Sequence, residues 1–80
     1  MATGTVRFWA AARAAAGQAE QAYDGETLGA VVASLEAEHG PALARVLAHC
    51  SFLVDGVRVG PDFTLTDGAD IEVLPPFAGG

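Results

Sequence analysis

The sequence predicts a single α+β domain: a mixed sheet of four to five strands with one main helix packed across one face. Three observations predict it. Apolar residues recur at helical spacing over one long segment, at Leu28, Val31, Val32 and Leu35. Short runs of β-favouring residues lie on both sides of that segment, two before it and two or three after. Turn pairs and proline stops separate the runs, at Asp24-Gly25, Gly40-Pro41, Asp55-Gly56, Gly60-Pro61 and Pro75-Pro76.

Thr5-Val6-Arg7-Phe8-Trp9 alternates and reads as the first strand. Phe8 and Trp9 then point to opposite faces, so one belongs to the core and the other is at least partly exposed. Ala10 to Ala16, closed by Gly17, has helix propensity but little length, and reads as a brief helical link. Gln18 to Tyr23 is a weakly patterned second strand ahead of a turn at Asp24-Gly25. Thr27 is placed to cap the main helix, without a capping-box partner because Ala30 lies three residues on. Gly40-Pro41 ends that helix, and Pro41 opens a second short one over residues 42–47. Phe52-Leu53-Val54 and Val57-Arg58-Val59 form a hairpin about Asp55-Gly56, a pair suited to a turn in which both central residues take positive φ. Ile71 to Leu74 is the last strand, expected to be short, and Pro75-Pro76 stops it because neither can donate to a ladder. Residues 1–74 are therefore the domain and residues 75–80 a tail.

Composition narrows the function. Eighty residues suffice for one domain, and 51% apolar content argues for a packed core. The formal net charge is −6, and all four basic residues are Arg. A phosphate backbone is repelled by such a surface, so no nucleic acid is expected as partner; a protein with a basic docking surface suits it better. With no Lys, no side-chain amine is present to accept an isopeptide bond from another copy. A lone Cys50 excludes an internal disulfide and a four-cysteine metal site. No run reaches transmembrane length and the N-terminus lacks a signal-peptide pattern, so no membrane is expected and the location is expected to be cytoplasmic.

The residues with a distinct chemistry are the last six. Pro75 and Pro76 fix φ and aim the chain away from the sheet, and Gly79 and Gly80 suit passage through a narrow channel. Extended, the six reach on the order of 20 Å. A terminal carboxylate, with a pKa of roughly 3.3–3.7, is ionised and poorly electrophilic at neutral pH. Joining it to AMP makes a mixed anhydride with a good leaving group, which a sulfur donor can displace to leave a thiocarboxylate. The chain has no Gly-rich phosphate loop, no Lys for phosphate and no metal cluster of its own. It is expected to be substrate and carrier, not an enzyme, with no cofactor of its own and the ATP used by an activating partner.

From Val6-Arg7-Phe8-Trp9-Ala10-Ala11-Ala12-Arg13, through Thr27-Leu28 and Leu65-Thr66-Asp67-Gly68-Ala69-Asp70, to Val73-Leu74-Pro75-Pro76-Phe77-Ala78-Gly79-Gly80, the chain resembles the small, sulfur-carrying subunit of molybdopterin synthase. The wider group includes the thiamine-pathway carrier and ubiquitin. The resemblance implies a β-grasp (ubiquitin-like) fold and adenylation of Gly80 by an E1-like activating enzyme, followed by conversion to a thiocarboxylate. It also implies insertion of the tail, Pro75, Pro76, Phe77, Ala78 and Gly79 leading Gly80, into the catalytic large subunit of the synthase or an equivalent sulfur acceptor enzyme. The Pro-Pro-x-x-Gly-Gly ending favours the molybdopterin branch. Similar carriers serve thiamine, cysteine synthesis, RNA thiolation and natural products, and the protein-modifier class shares the same tail.

The remaining polar residues read as structural. Cys50, beside Phe52 and Leu53, is a small packed hydrophobe. His39 closes a helix end, where a cation is favoured, and His49 is ten positions away with no ligand set around the two, so no metal is expected. Glu36 and Glu38 sit on a solvated helix face, and Asp67 and Asp70 serve turns. Arg13 and Arg58 read as ordinary solvated charge.

Overall fold

The structure is a computed structural model, described here over residues 2–75. Five strands and three helices follow the chain as β1 (Ala2–Phe8), α1 (Ala10–Ala16), β2 (Glu20–Gly25), α2 (Leu28–His39), α3 (Pro41–Leu47), β3 (Ser51–Val54), β4 (Val57–Arg58) and β5 (Asp70–Leu74). The sheet runs in the order β2-β1-β5-β3-β4. β1 and β5 are parallel, and every other neighbouring pair is antiparallel. The predicted mixed sheet with a main helix on one face is therefore what forms.

One face of the sheet makes the core. Val6, Phe8, Ile71 and Val73, at alternate positions of the two central strands, are at most 1% exposed. α2 lays Leu28, Val31 and Leu35 against them, and α3 adds Leu43 and Leu47. The helical periodicity is thus real, although Val32 ends only half-buried at the edge of that cluster. Burial of these nine side chains, at roughly 1.5–3 kcal/mol each when full, is the main term opposing chain entropy.

Local signals and structure agree where the signal is local. Thr27 Oγ1 accepts from the Ala30 amide at 3.2 Å, the expected N-cap. The next amides of α2 find unexpected partners: Leu28 N donates to Phe63 O (3.0 Å) and Gly29 N to Pro61 O (2.9 Å), so the loop before β5 docks on the helix start. The Asp55-Gly56 turn has φ of 49° and 85°, both positive, and closes the β3–β4 hairpin as its residues require.

Three expectations are corrected. β1 begins at Ala2 rather than Thr5, because pairing with β2 from Ala2↔Gly25 onward outweighs the weak strand propensity of Ala2-Thr3-Gly4. Asp24-Gly25 is not a turn: both residues stay in β2. A Cβ on Gly25 would lie 2.9 Å from Val31 Cγ2, so this glycine serves the close approach of α2 to the sheet. Finally, β5 starts at Asp70 rather than Ile71 and is longer than β3 and β4, so it is not the short strand of the set. It has five residues, lies in the middle of the sheet, and pairs on both sides.

Candidate functional site

The expected site divides at the boundary of the described residues. Pro75 is described, half-buried directly after β5. Pro76, Phe77, Ala78, Gly79 and Gly80 lie outside the described residues, so what the structure shows is the platform from which the tail departs.

That platform belongs to one of the internal strands of the sheet. Val73 is held between Phe8 of β1 and Phe52 of β3, and Leu74 pairs with Ser51. A strand paired on both flanks has little freedom to fray, so the direction in which Pro75 leaves is set by the core. Pro75 carries no N–H and cannot prolong the ladder.

Around this end the register places Trp9, one residue past the Phe8↔Val73 pair, and Cys50, one residue before Ser51. The sequence left open which aromatic is buried. Phe8 is, at 1% exposure, while Trp9 is 43% exposed. Trp9 is extended and is followed by Ala10 at φ 49°, a left-handed conformation costly for a residue with a Cβ, which reverses the chain into α1. Cys50 is half-buried; its thiol donates to Val46 O at 3.1 Å, and burial pushes its pKa above the ordinary value. A thiol held protonated is a poor nucleophile, which suits the packing role read from the sequence.

The sheet face away from the helices carries Thr5, Arg7, Glu20, Ala22, Glu72 and Leu74, the positions alternating with the core set. Arg7 Nε lies 3.5 Å from Glu20 Oε2 across the β1–β2 pair. Both are more than half exposed, so this pair orders the surface rather than stabilising the fold.

The other candidate residues fall into structural places. His39 ends α2 as expected; its Nε2 lies 2.6 Å from Gln21 Oε1, and its ring meets Phe8 edge-on. Asp67 Oδ1 accepts from Thr3 N at 3.1 Å, and Asp70 N donates to Asp55 Oδ1 at 3.0 Å, so Asp67 ties its loop to β1 and Asp55 ties its turn to the start of β5. Asp55, Asp67 and Asp70 gather at the end of the sheet opposite Pro75. There Tyr23 donates to Ala69 O at 2.9 Å, and burial, then Asp55, Asp70 and Asp67, raise its pKa above 10.0. Among the described residues no three His, Cys, Asp or Glu side chains are grouped to hold a metal ion. No helix among them is long and apolar enough to cross a membrane.

Comparisons with known proteins agree with this geometry. The sequence profile described as the ThiS family matches residues 6–80. The solution structure of small archaeal modifier protein 1 from Methanosarcina acetivorans is similar over 100% of this chain and 98% of that one, with 30% identity and a TM-score of 0.89. The HVO 2177 protein of Haloferax volcanii is 34% identical over 99% of this chain and 87% of that one, with a TM-score of 0.82. The complex of subunits 1 and 2 of molybdopterin-converting factor from Helicobacter pylori contains a chain of the same fold, 23% identical, covering 98% of this chain and 99% of that chain, with a TM-score of 0.74. No curated protein matches the sequence.

Proposed function

The chain belongs to the ThiS family, whose members are small ubiquitin-like sulfur carriers and modifiers, and from that premise we propose that it carries sulfur on Gly80 for molybdopterin synthesis. The observation that carries the reading is the placement of β5: the strand leading to the Pro-Pro-x-x-Gly-Gly ending is gripped on both sides, so the domain is a handle with a fixed point of departure.

The chemistry follows from the carboxylate. A carboxylate oxygen of Gly80 attacks the α-phosphorus of ATP in an activating enzyme, and pyrophosphate leaves. A hydrosulfide-level donor of that system attacks the acyl carbon, AMP leaves with the bonding pair, and loss of the sulfur-bound proton leaves the thiocarboxylate. The Gly80 thiocarboxylate is then delivered by residues 75–79 into the catalytic large subunit, where its sulfur displaces a leaving group from a substrate carbon, and water hydrolyses the resulting thioester to the Gly80 carboxylate and a substrate thiol. The chain is cargo-bearer and the partners are the catalysts. The Helicobacter pylori complex, in which a chain of this fold accompanies a second subunit, supports that division of labour.

Incubation with ATP, a sulfur donor and an activating enzyme, followed by intact-mass measurement, tests the reading. The expected product is heavier by the difference between sulfur and oxygen, and a chain lacking Gly80 stays unchanged while remaining folded. Full sulfur transfer from a chain with an extended C-terminus overturns the proposal. A second reading has its own support, since the Methanosarcina acetivorans relative is named a modifier protein. A modifier forms an isopeptide bond through Gly80, and covalent ladders in a cell extract, instead of a free thiocarboxylate, identify it.

A further inference from the structure

The two edges of the sheet are unlike. β4 is an edge of two residues carrying Arg58, too short to template another strand. β2 is an edge of six residues, Glu20–Gly25, without Pro, Lys or a bulge to block pairing. Phe8 N donates to Ala19 O, and this fixes the alternation of the β1–β2 ladder. The backbones of Gln21, Tyr23 and Gly25 face β1, whereas those of Glu20, Ala22 and Asp24 face outward. Among the described residues no other backbone group pairs with these three. A depression of about 580 Å³ lies beside this edge, between the β1–β2 ladder, from Gly4 to Tyr23, and Ser34, Leu35 and Glu38 of α2.

We propose that the β2 edge is a docking site for an extended basic segment of a partner protein, which adds to the sheet as a sixth strand. Backbone pairing to Glu20, Ala22 and Asp24 supplies register, and charge selects the occupant. Glu20 and Asp24 flank Ala22 on the open face, and Glu38 borders the depression on the helix side. Lys or Arg at alternate positions of the incoming strand meets Glu20 and Asp24, and a long side chain on its other face lays its stem over Leu35 with its head at Glu38. A second copy of this chain is disfavoured by the same charges. Antiparallel pairing of two β2 edges about Ala22 sets Glu20 opposite Asp24 of the other copy, twice. β2 and β1 both lie between the added strand and β5, so the segment sits about 14 Å from the strand that leads to the tail, at about 4.8 Å per strand. Docking here is therefore compatible with a tail held in an enzyme, and does not depend on the sulfur-carrier reading.

The test uses the full chain, isotopically labelled, and a synthetic peptide of about eight residues alternating Val and Lys. Titration is expected to shift and protect the Glu20, Ala22 and Asp24 amides, leaving Val57 and Arg58 unmoved. Ala22→Pro removes an outward N–H and no ladder bond, so the chain stays folded by its thermal transition while affinity drops at least about tenfold. Should that variant unfold, the Glu20→Lys/Asp24→Lys double variant reads the same loss. A peptide of equal charge with a central Pro is expected to bind at least about tenfold more weakly. Equal binding of the two peptides, shifts centred elsewhere, or no shift at all overturns the proposal. So does concentration-dependent dimerisation that Ala22→Pro abolishes, which would assign the edge to a second copy.

Discussion

The two faces of the sheet are written by the same strands in alternate residues, and they obey different rules. Toward the helices, Val6, Phe8, Ile71 and Val73 are sealed at 1% exposure or less. Away from them, Thr5, Arg7, Glu72 and Leu74 are exposed or half-buried, and their single ion pair is solvated. The covered face determines whether the molecule exists as a fold; the open face is free to be shaped by what it meets. A residue's consequence is therefore set by its parity along the strand more than by its distance from Gly80.

The largest effect expected is on the covered face. Phe8→Ala removes a fully buried ring and should cost about 3–5 kcal/mol, a large share of the roughly 5–15 kcal/mol that holds a small domain together. Urea unfolding reads this directly, and a loss under about 1 kcal/mol would break the contrast.

An intermediate effect lies at the far pole, where the covered face meets the acidic turns. Tyr23→Phe leaves the Ala69 carbonyl without its 2.9 Å donor, at a cost of about 1–2 kcal/mol. The same variant has a pH signature. Tyr23 holds its proton more tightly folded than unfolded, chiefly through burial and then through Asp55, Asp70 and Asp67. Its contribution is fully present below the ordinary value of 10.0 and is lost as pH rises through the higher native value. The chain has one Tyr and no Lys, and among the described residues Cys50 is also raised by burial, from 9.0. Tyr23→Phe should flatten the fall in stability above about pH 10, leaving the Cys50 part, as followed by urea midpoints against pH.

The smallest effect is on the open face. Arg7→Ala breaks the 3.5 Å contact with Glu20 and should change stability by less than about 0.5 kcal/mol. A larger loss in urea would show that the open face also holds the fold.

How much of this was legible beforehand depended on range. The cap at Thr27, the end of α2 at Gly40 and the Asp55-Gly56 turn are local, and each was readable because a few neighbouring residues decide it. The start of β1, the loss of the Asp24-Gly25 turn and the central place of β5 are decided by partners tens of residues away. No period in the segment itself records such a partner. Parity announced that Phe8 and Trp9 differ, but only the Phe8↔Val73 pairing says which is inside. The proposed chemistry at Gly80 is the reverse case: it rests on sequence and family, while the described structure supplies its foundation. The β2 edge was illegible, because a strand becomes an edge only once the order of all five is known.

The central position of β5 carries a consequence for how the molecule comes into being. A nascent chain halted before Asp70 holds only two hairpins, β1–β2 and β3–β4, with a one-strand gap between them, and neither is stable alone in water. The keystone is synthesised last, just ahead of the residues that would bear the sulfur. A chain cut before Asp70 lacks the one strand that joins the two pairs, so a folded body reports that translation has passed β5.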